Sequence, residues 1–216
     1  MGRRRGQAPY RHEGAAWRRG VSRVAGVDEA GRGPLAGPVI AAAVALNPER
    51  RIRGLQDSKL LTPAKRELLY DRIQEAAFSV GVGIVDPETI DRVNVLQATR
   101  LAMLEAVRQL APPPELILID ALALPSLPCP QKALIKGDRR SASIAAASII
   151  AKVTRDRIML GYDERFPQYG FRRHKGYPTP EHLAALATHG PCPIHRLTFR
   201  SVLSHRQGEL FPLTTS

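Results

Sequence analysis

A chain of 216 residues, 44% of them hydrophobic, is long enough to bury one sizeable core and too apolar to be globally disordered. Its longest apolar stretch, residues 35–46, is interrupted by Pro38 and is too short to span a bilayer; the N-terminal arginines have no apolar run behind them that would make a secretory signal. A net charge of +12 points to a polyanionic partner, nucleic acid first of all.

Residues 1–22 form a basic leader. With Arg23 they hold seven arginines against a single acid, Glu13, and they are expected to be a disordered arm that either grips phosphates nonspecifically or only aids solubility. Next comes the stretch from Val24 to Val39: an apolar run, the adjacent acids Asp28 and Glu29, a glycine-rich turn with Arg32, and a second apolar run. A short apolar run bounded by glycines reads as a buried strand. Buried carboxylates are costly unless something neutralises them, so the stretch asks for a metal ion. Gly31 and Gly33 let main-chain N–H groups approach a ligand. The plain alternative is a surface hairpin with solvated acids.

A second strand is expected over residues 37–46, then a loop, the triplet Asp57-Ser58-Lys59, and a helix entered at Thr62 and Pro63 and running to about Phe78. Leu68, Leu69, Ile73 and Ala76 would form its apolar face. Residues 79–85 alternate like a third strand. A short helix over residues 88–92 leads to Asn94 and to a second amphipathic helix over residues 95–110, with Leu101, Leu104 and Val107 inward; the prolines at 112–114 end it. Residues 115–120 are an apolar run closed by Asp120, read as a strand buried on both faces of a mixed α/β sheet. A short strand over 131–135, a long alanine-rich helix over 141–159, an irregular stretch over 166–180, a last helix over 181–188 and a loosely attached tail complete the chain. With no repeat or linker, one domain over 23–200 is expected, with 201–216 as tail. Cys129 and Cys192 are expected to be reduced, as in a cytoplasmic protein.

Four acids, Asp28, Glu29, Asp120 and Asp138, stand where strand ends and a helix entry could converge. Carboxylates without histidine or cysteine nearby suit Mg2+ or Mn2+, and such sites hydrolyse phosphodiesters. Asp28 and Glu29 can both serve only if the strand ends or bulges there, because adjacent strand residues face opposite ways. Asp138 at a helix start is favourable in any case. A dinucleotide fingerprint at Gly31, Gly33 and Gly37 fails because Pro38 falls where its helix should run. Cys192 and His195 make only half a zinc site. Between Tyr162 and Tyr177, aromatics alternate with cations, which suits a nucleic-acid surface; Phe166 and Phe171 are expected in the core and Tyr177 exposed. Lys59, Lys152 and Arg155 could contact phosphates or be plain surface charges.

From Val24 to Phe199 the chain resembles bacterial ribonuclease HII. The shared motifs are Val27-Asp28-Glu29-Ala30-Gly31-Arg32-Gly33-Pro34, Asp57-Ser58-Lys59, Leu118-Ile119-Asp120, Lys136-Gly137-Asp138, the helix from Ser143 to Asp156, His174-Lys175-Gly176-Tyr177-Pro178-Thr179 and His195-Arg196-Leu197-Thr198-Phe199. The resemblance implies an α/β, RNase H-like fold, a mixed sheet flanked by helices with a small helical C-terminal part. It also implies a metal-dependent endonuclease acting on RNA–DNA hybrids and on duplex DNA containing ribonucleotides. A monomer that does not associate with membranes is expected. Asp28, Glu29, Asp120 and Asp138 would be the catalytic metal ligands. Gly31, Arg32 and Gly33 would read the 2′-hydroxyl through backbone groups, with Tyr177 packing by the sugar. Ala121 departs from the family's usual glycine. Two rivals remain: a non-catalytic basic duplex-binding protein, and a DNA-only two-metal nuclease on the same fold.

Overall fold

The computed structural model describes residues 8–120, 124, 127 and 129–204. Its frame is a five-stranded sheet in the order β3-β2-β1-β4-β5, preceded by helix α1 (Arg11–Trp17). Strands β1 (Val24–Ala30) and β2 (Val39–Leu46) pair antiparallel. After a 3-10 turn at Ser58–Leu60 comes α2 (Pro63–Ala76), then β3 (Ala77–Val85), antiparallel to β2. Helices α3 (Pro87–Val93) and α4 (Val95–Arg108) lead to β4 (Leu116–Asp120), parallel to β1, and β5 (Gln131–Leu134), parallel to β4. A 3-10 turn at Gly137–Arg139, the long α5 (Ala142–Arg165), the single-turn α6 (Phe171–His174) and α7 (Pro180–His189) follow. The mixed sheet flanked by helices is the expected RNase H-like class.

The sheet is covered on both sides. Ile40, Ala42, Val44 and Leu46 of β2 pack against Leu69 and Ile73 of α2 and the alanine-rich face of α5. The alternate residues Val39, Ala41, Ala43 and Ala45 pack against Ala98, Ala102, Met103 and Ala106 of α4. Burying each large aliphatic side chain contributes about 1.5–3 kcal/mol. A third cluster, with Leu35, Ala36, Met159, Tyr169, Phe171 and Leu186, fastens the C-terminal helices to the far end of α5. Among the described residues no helix is long and apolar enough to cross a membrane.

Several boundaries move for physical reasons. α2 stops at Ala76 and the chain turns directly into β3, because Ala77 pairs with Leu46. α5 runs to Arg165, six residues past the expected end. Leu68 and Leu101, expected inward, are exposed. The leader differs most. From Ala8 onward it is ordered: α1 buries Ala16, and the Glu13 carboxylate, 0% exposed, accepts the Ser143 N–H at 2.9 Å and the Ser141 and Ser143 hydroxyls at 2.5 and 2.7 Å. An anion at the first turn of a 24-residue helix meets both the free N–H groups and the positive end of the dipole. Residues 1–7 and 205–216, and Ala121, lie outside the described residues.

Candidate active site

Asp28 lies on β1 two residues after Gly26. A Cβ at Gly26 would stand 2.1 Å from the Ser143 main chain, so this face of β1 is pressed on α5. By the two-residue period Asp28 shares that face, and the Ser148 hydroxyl of α5 bonds its carboxyl. Ser148 in turn meets the Ser58 hydroxyl at 2.9 Å. Asp28 is 8% exposed. Burial pushes its carboxyl well above the usual range and the charge of Glu29 adds to this, with a smaller push from Asp120; the Ser148 hydroxyl and the Glu29 N–H oppose them. No bulge brings the two acids together, since pairing with β2 runs unbroken from Ala25↔Ala45 to Ala30↔Ile40. What frees them is the other edge, where pairing with β4 stops at Val27↔Ile119. Glu29 there pairs with Arg32 at 3.1 Å.

Asp120 ends β4, and one of its oxygens accepts the Gly137 N–H at 3.1 Å. That bond ties the strand end to the 3-10 turn carrying Asp138, which is entered through the left-handed Lys136 at φ 55°. Burial raises the Asp138 carboxyl and the charges of Asp57 and Asp120 raise it further. Asp57 is a fifth acid at the site, known from the sequence only as part of a motif. It is buried, which pushes its carboxyl up, but the Lys59 N–H and the Arg139 guanidinium overcome this and hold it low. Arg139 grips one Asp57 oxygen through two nitrogens, at 3.2 and 3.0 Å. Asp57 meets Arg139 across 82 positions and Ser148 meets Ser58 across 90, separations that no sequence pattern pairs, so Asp57 and Ser148 were not legible as site components.

The donors facing this corner are carboxylate oxygens, the set that suits a hard divalent cation. As they stand, no three acidic, histidine or cysteine side chains among the described residues close on one point. Glu29 accepts from the Arg32 guanidinium and Asp120 from the Gly137 N–H. Burial first, and the neighbouring acid charges second, raise the carboxyls of Asp28 and Asp138, and a bound cation would favour their charged forms.

Beside the acids, Gly31, Arg32 and Gly33 leave β1 as a loop, Gly31 at φ +95°. A Cβ at Gly33 would lie 3.8 Å from the Tyr177 ring, so the loop lies beside Tyr177, which is 42% exposed. Lys59 is exposed and lowers the Asp138 carboxyl by its charge. Lys152 is held by Asp156 at 2.6 Å. Arg155, expected among the phosphate contacts, is 1% exposed. Its nitrogens donate to main-chain carbonyls, which leaves it unable to reach a phosphate.

The segment bearing Tyr177 rests on histidines. His182 Nδ1 lies 2.9 Å from the Tyr177 carbonyl and must donate to it, so its Nε2 accepts from His195 Nε2 at 3.0 Å. His195 Nδ1 then accepts the Cys192 N–H at 2.9 Å. The ring nitrogens of His182 and His195 are engaged in these hydrogen bonds. Burial lowers both His182 and His195 to about 4.

Residues 25–202 match the family model described as Ribonuclease HII. A Ribonuclease HII of Geobacter metallireducens is 58% identical over 188 residues, covering 87% of this chain and 88% of its own. The crystal structure of the ribonuclease H2 from Pyrococcus horikoshii OT3 superposes with a TM-score of 0.73 at 29% identity, over 86% of this chain and 97% of that one. Bst-RNase HIII, solved in complex with Mn2+, has the same fold at 21% identity and a TM-score of 0.67, over 89% of this chain and 72% of that one.

Proposed function

The chain belongs to the ribonuclease HII family, and on that premise we propose how its residues divide the work of cutting RNA joined to or paired with DNA. The reaction is endonucleolytic hydrolysis of the RNA strand of RNA–DNA hybrids, and of the bond on the 5′ side of a ribonucleotide embedded in duplex DNA. It leaves a 3′-hydroxyl and a 5′-phosphate.

Asp28, Glu29, Asp120 and Asp138 would hold divalent ions, Mg2+ or Mn2+. When bound, such ions supply ionisation of the attacking water and neutralisation of the leaving oxygen. The observation that carries this reading is Asp28. It is a buried carboxyl, 8% exposed, raised by its desolvation and by the charges of Glu29 and Asp120, and among the described residues it forms no ion pair. Evicting such a charge from the core would be the cheaper arrangement unless a cation belongs there. The Ser148 hydroxyl orients Asp28, and the Asp57–Arg139 pair orients the turn carrying Asp138. Main-chain N–H groups of the Gly31-Arg32-Gly33 loop read the 2′-hydroxyl, the one group that separates ribose from deoxyribose, while the Tyr177 ring packs against the sugar. Lys59, and Lys152 once it leaves Asp156, meet backbone phosphates as point charges. Cys129 and Cys192, both free, fit a reducing, cytoplasmic setting.

The test is an end-labelled DNA duplex carrying one ribonucleotide, incubated with and without Mg2+. A metal-dependent nick on the 5′ side of the ribonucleotide is expected. Cleavage confined to long hybrids would remove the role given to Gly31-Arg32-Gly33 and Tyr177, and tight binding without any cleavage would favour a duplex-binding protein.

A further inference from the structure

Two guanidiniums lie inside the protein beneath the glycine loop. Arg155 comes from the middle of α5, and Arg196 from the strand-like segment after α7, which bridges Ala36 through His195. Arg196 is 0% exposed. Neither is spent on a carboxylate; their hydrogen bonds go to main-chain carbonyls. Arg155 Nε donates to Pro38 at 3.1 Å, Nη2 to Ala36 at 3.0 Å and Nη1 to Lys175 at 2.9 Å. Arg196 Nη2 donates to Gly31 at 2.5 Å and Gly37 at 2.8 Å, Nη1 to Arg32 at 3.0 Å, and Nε to Gly37 at 3.0 Å. Burial lowers both, Arg155 to about 10 and Arg196 to about 9, which leaves each charged at neutral pH.

Holding two buried cations with carbonyls alone is an expensive way to pin a loop, and the geometry shows what it achieves. A trans peptide is planar, so the C=O of one residue and the N–H of the next point opposite ways. With the Gly31 and Arg32 carbonyls drawn inward to Arg196, the N–H groups of Arg32 and Gly33 must face outward. Among the described residues neither of these N–H groups has a hydrogen-bond partner. They stand on the exposed side of the loop, next to the Tyr177 ring. Arg155 reaches the same corner from below: its carbonyl at Lys175 lies two residues before Tyr177, its guanidinium lies 5.9 Å from the Tyr177 ring centre, and a Cβ at Gly31 would strike it at 2.3 Å.

We infer that Arg196, with Arg155 behind it, is a specificity-determining positioning residue, whose grip on the Gly31 and Arg32 carbonyls aims the Arg32 and Gly33 amides at the sugar hydroxyl. The inference rests on the reading that this loop recognises the 2′-hydroxyl. Lysine cannot replace arginine here, because a single ammonium cannot span carbonyls that a planar fork with five donors reaches together.

The experiment measures, in EDTA so that no strand is cut, the affinity of the full-length protein for a duplex with one ribonucleotide and for the identical all-DNA duplex. Arg196→Lys is expected to shrink the preference for the ribonucleotide by about tenfold, the worth of one or two well-aimed hydrogen bonds, while affinity for the all-DNA duplex stays at the wild-type value. An unchanged preference would overturn the inference, and so would an equal loss on both duplexes, which marks general damage. Should Arg196→Lys fail to give a folded protein by its thermal melt, Arg155→Lys decides on the same two duplexes, with a smaller loss of preference expected. A wild-type protein that does not distinguish the duplexes at all would instead sink the reading of the loop itself, and the inference with it.

Discussion

Asp120 ends β4 with one oxygen already accepting the Gly137 N–H, so an asparagine there can keep that bond through its carbonyl oxygen while losing the charge. Asp120→Asn is therefore expected to fold normally, to bind hybrid nearly as well as wild type, and to lose activity by on the order of 10³ or more, comparable with removing a preorganised electrostatic group. A near-normal rate in a hybrid-cleavage assay would remove Asp120 from the metal site. The histidines make a prediction of a different kind. His182 and His195 are held neutral, at about 4, against about 6.5 in an unfolded chain. Above pH 6.5 both states are neutral and nothing is lost. As pH falls from 6.5 toward 4 the unfolded chain takes up protons that the folded one refuses. Each histidine then subtracts up to about 1.4 kcal/mol per pH unit. Denaturant midpoints should decline across that window in the wild type and decline less in His182→Gln, which gives up part of the Tyr177 anchor in exchange.

Between elements, the tightest seams are made by what is missing from a side chain. Gly26 lets β1 lie on the first turn of α5, where a Cβ would meet Ser143 main-chain atoms at 2.1 Å. On the opposite face Gly83 does the same for α4, with the Ala102 carbonyl oxygen 2.0 Å from where a Cβ would be. Main chain cannot rotate away as a long side chain can. Gly26→Ala is expected to cost about 3 kcal/mol, the upper end of overpacking penalties, readable as a lowered urea midpoint. Because β1 carries Asp28 and α5 carries Ser148, the variant should also lose activity beyond what its unfolded fraction explains. The polar contacts spanning elements follow the same logic. The Ser58–Ser148 pair and the Asp57–Arg139 grip fasten one turn between Asp28 and Asp138.

At the scale of the whole molecule, the basic leader is part of the folded body from Ala8 onward, through Glu13 and Ala16 of α1. Residues 1–7 carry Arg3, Arg4 and Arg5, and deleting them is expected to leave the melting temperature unchanged while reducing the salt slope of duplex binding by up to about 0.9 per lost phosphate contact. Deleting residues 1–22 also removes Glu13 and Ala16, buried at 0%, and strips the start of α5 of its carboxylate; a clear fall in melting temperature should separate the two truncations. Equal melting temperatures would return the whole segment to the status of an arm. The strands and most helices were legible from the sequence because they depend on local signals: apolar runs, and prolines and capping residues at helix starts; the four acids stood out as candidates by their place beside apolar runs and at a helix entry, although Asp28 and Glu29 lie within β1 rather than past its end. The resemblance to ribonuclease HII named the loop and Tyr177. Tertiary structure alone decided that Glu13 caps a helix 128 residues away, that Asp57 meets Arg139, that Arg155 points inward rather than at a phosphate, and that Arg196 grips the glycine loop. Each of these is a charged group whose role depends on which partner folding brings beside it. Composition and spacing record that such a group is present, and only the packed chain determines whether it faces solvent, a carboxylate or a ring of carbonyls.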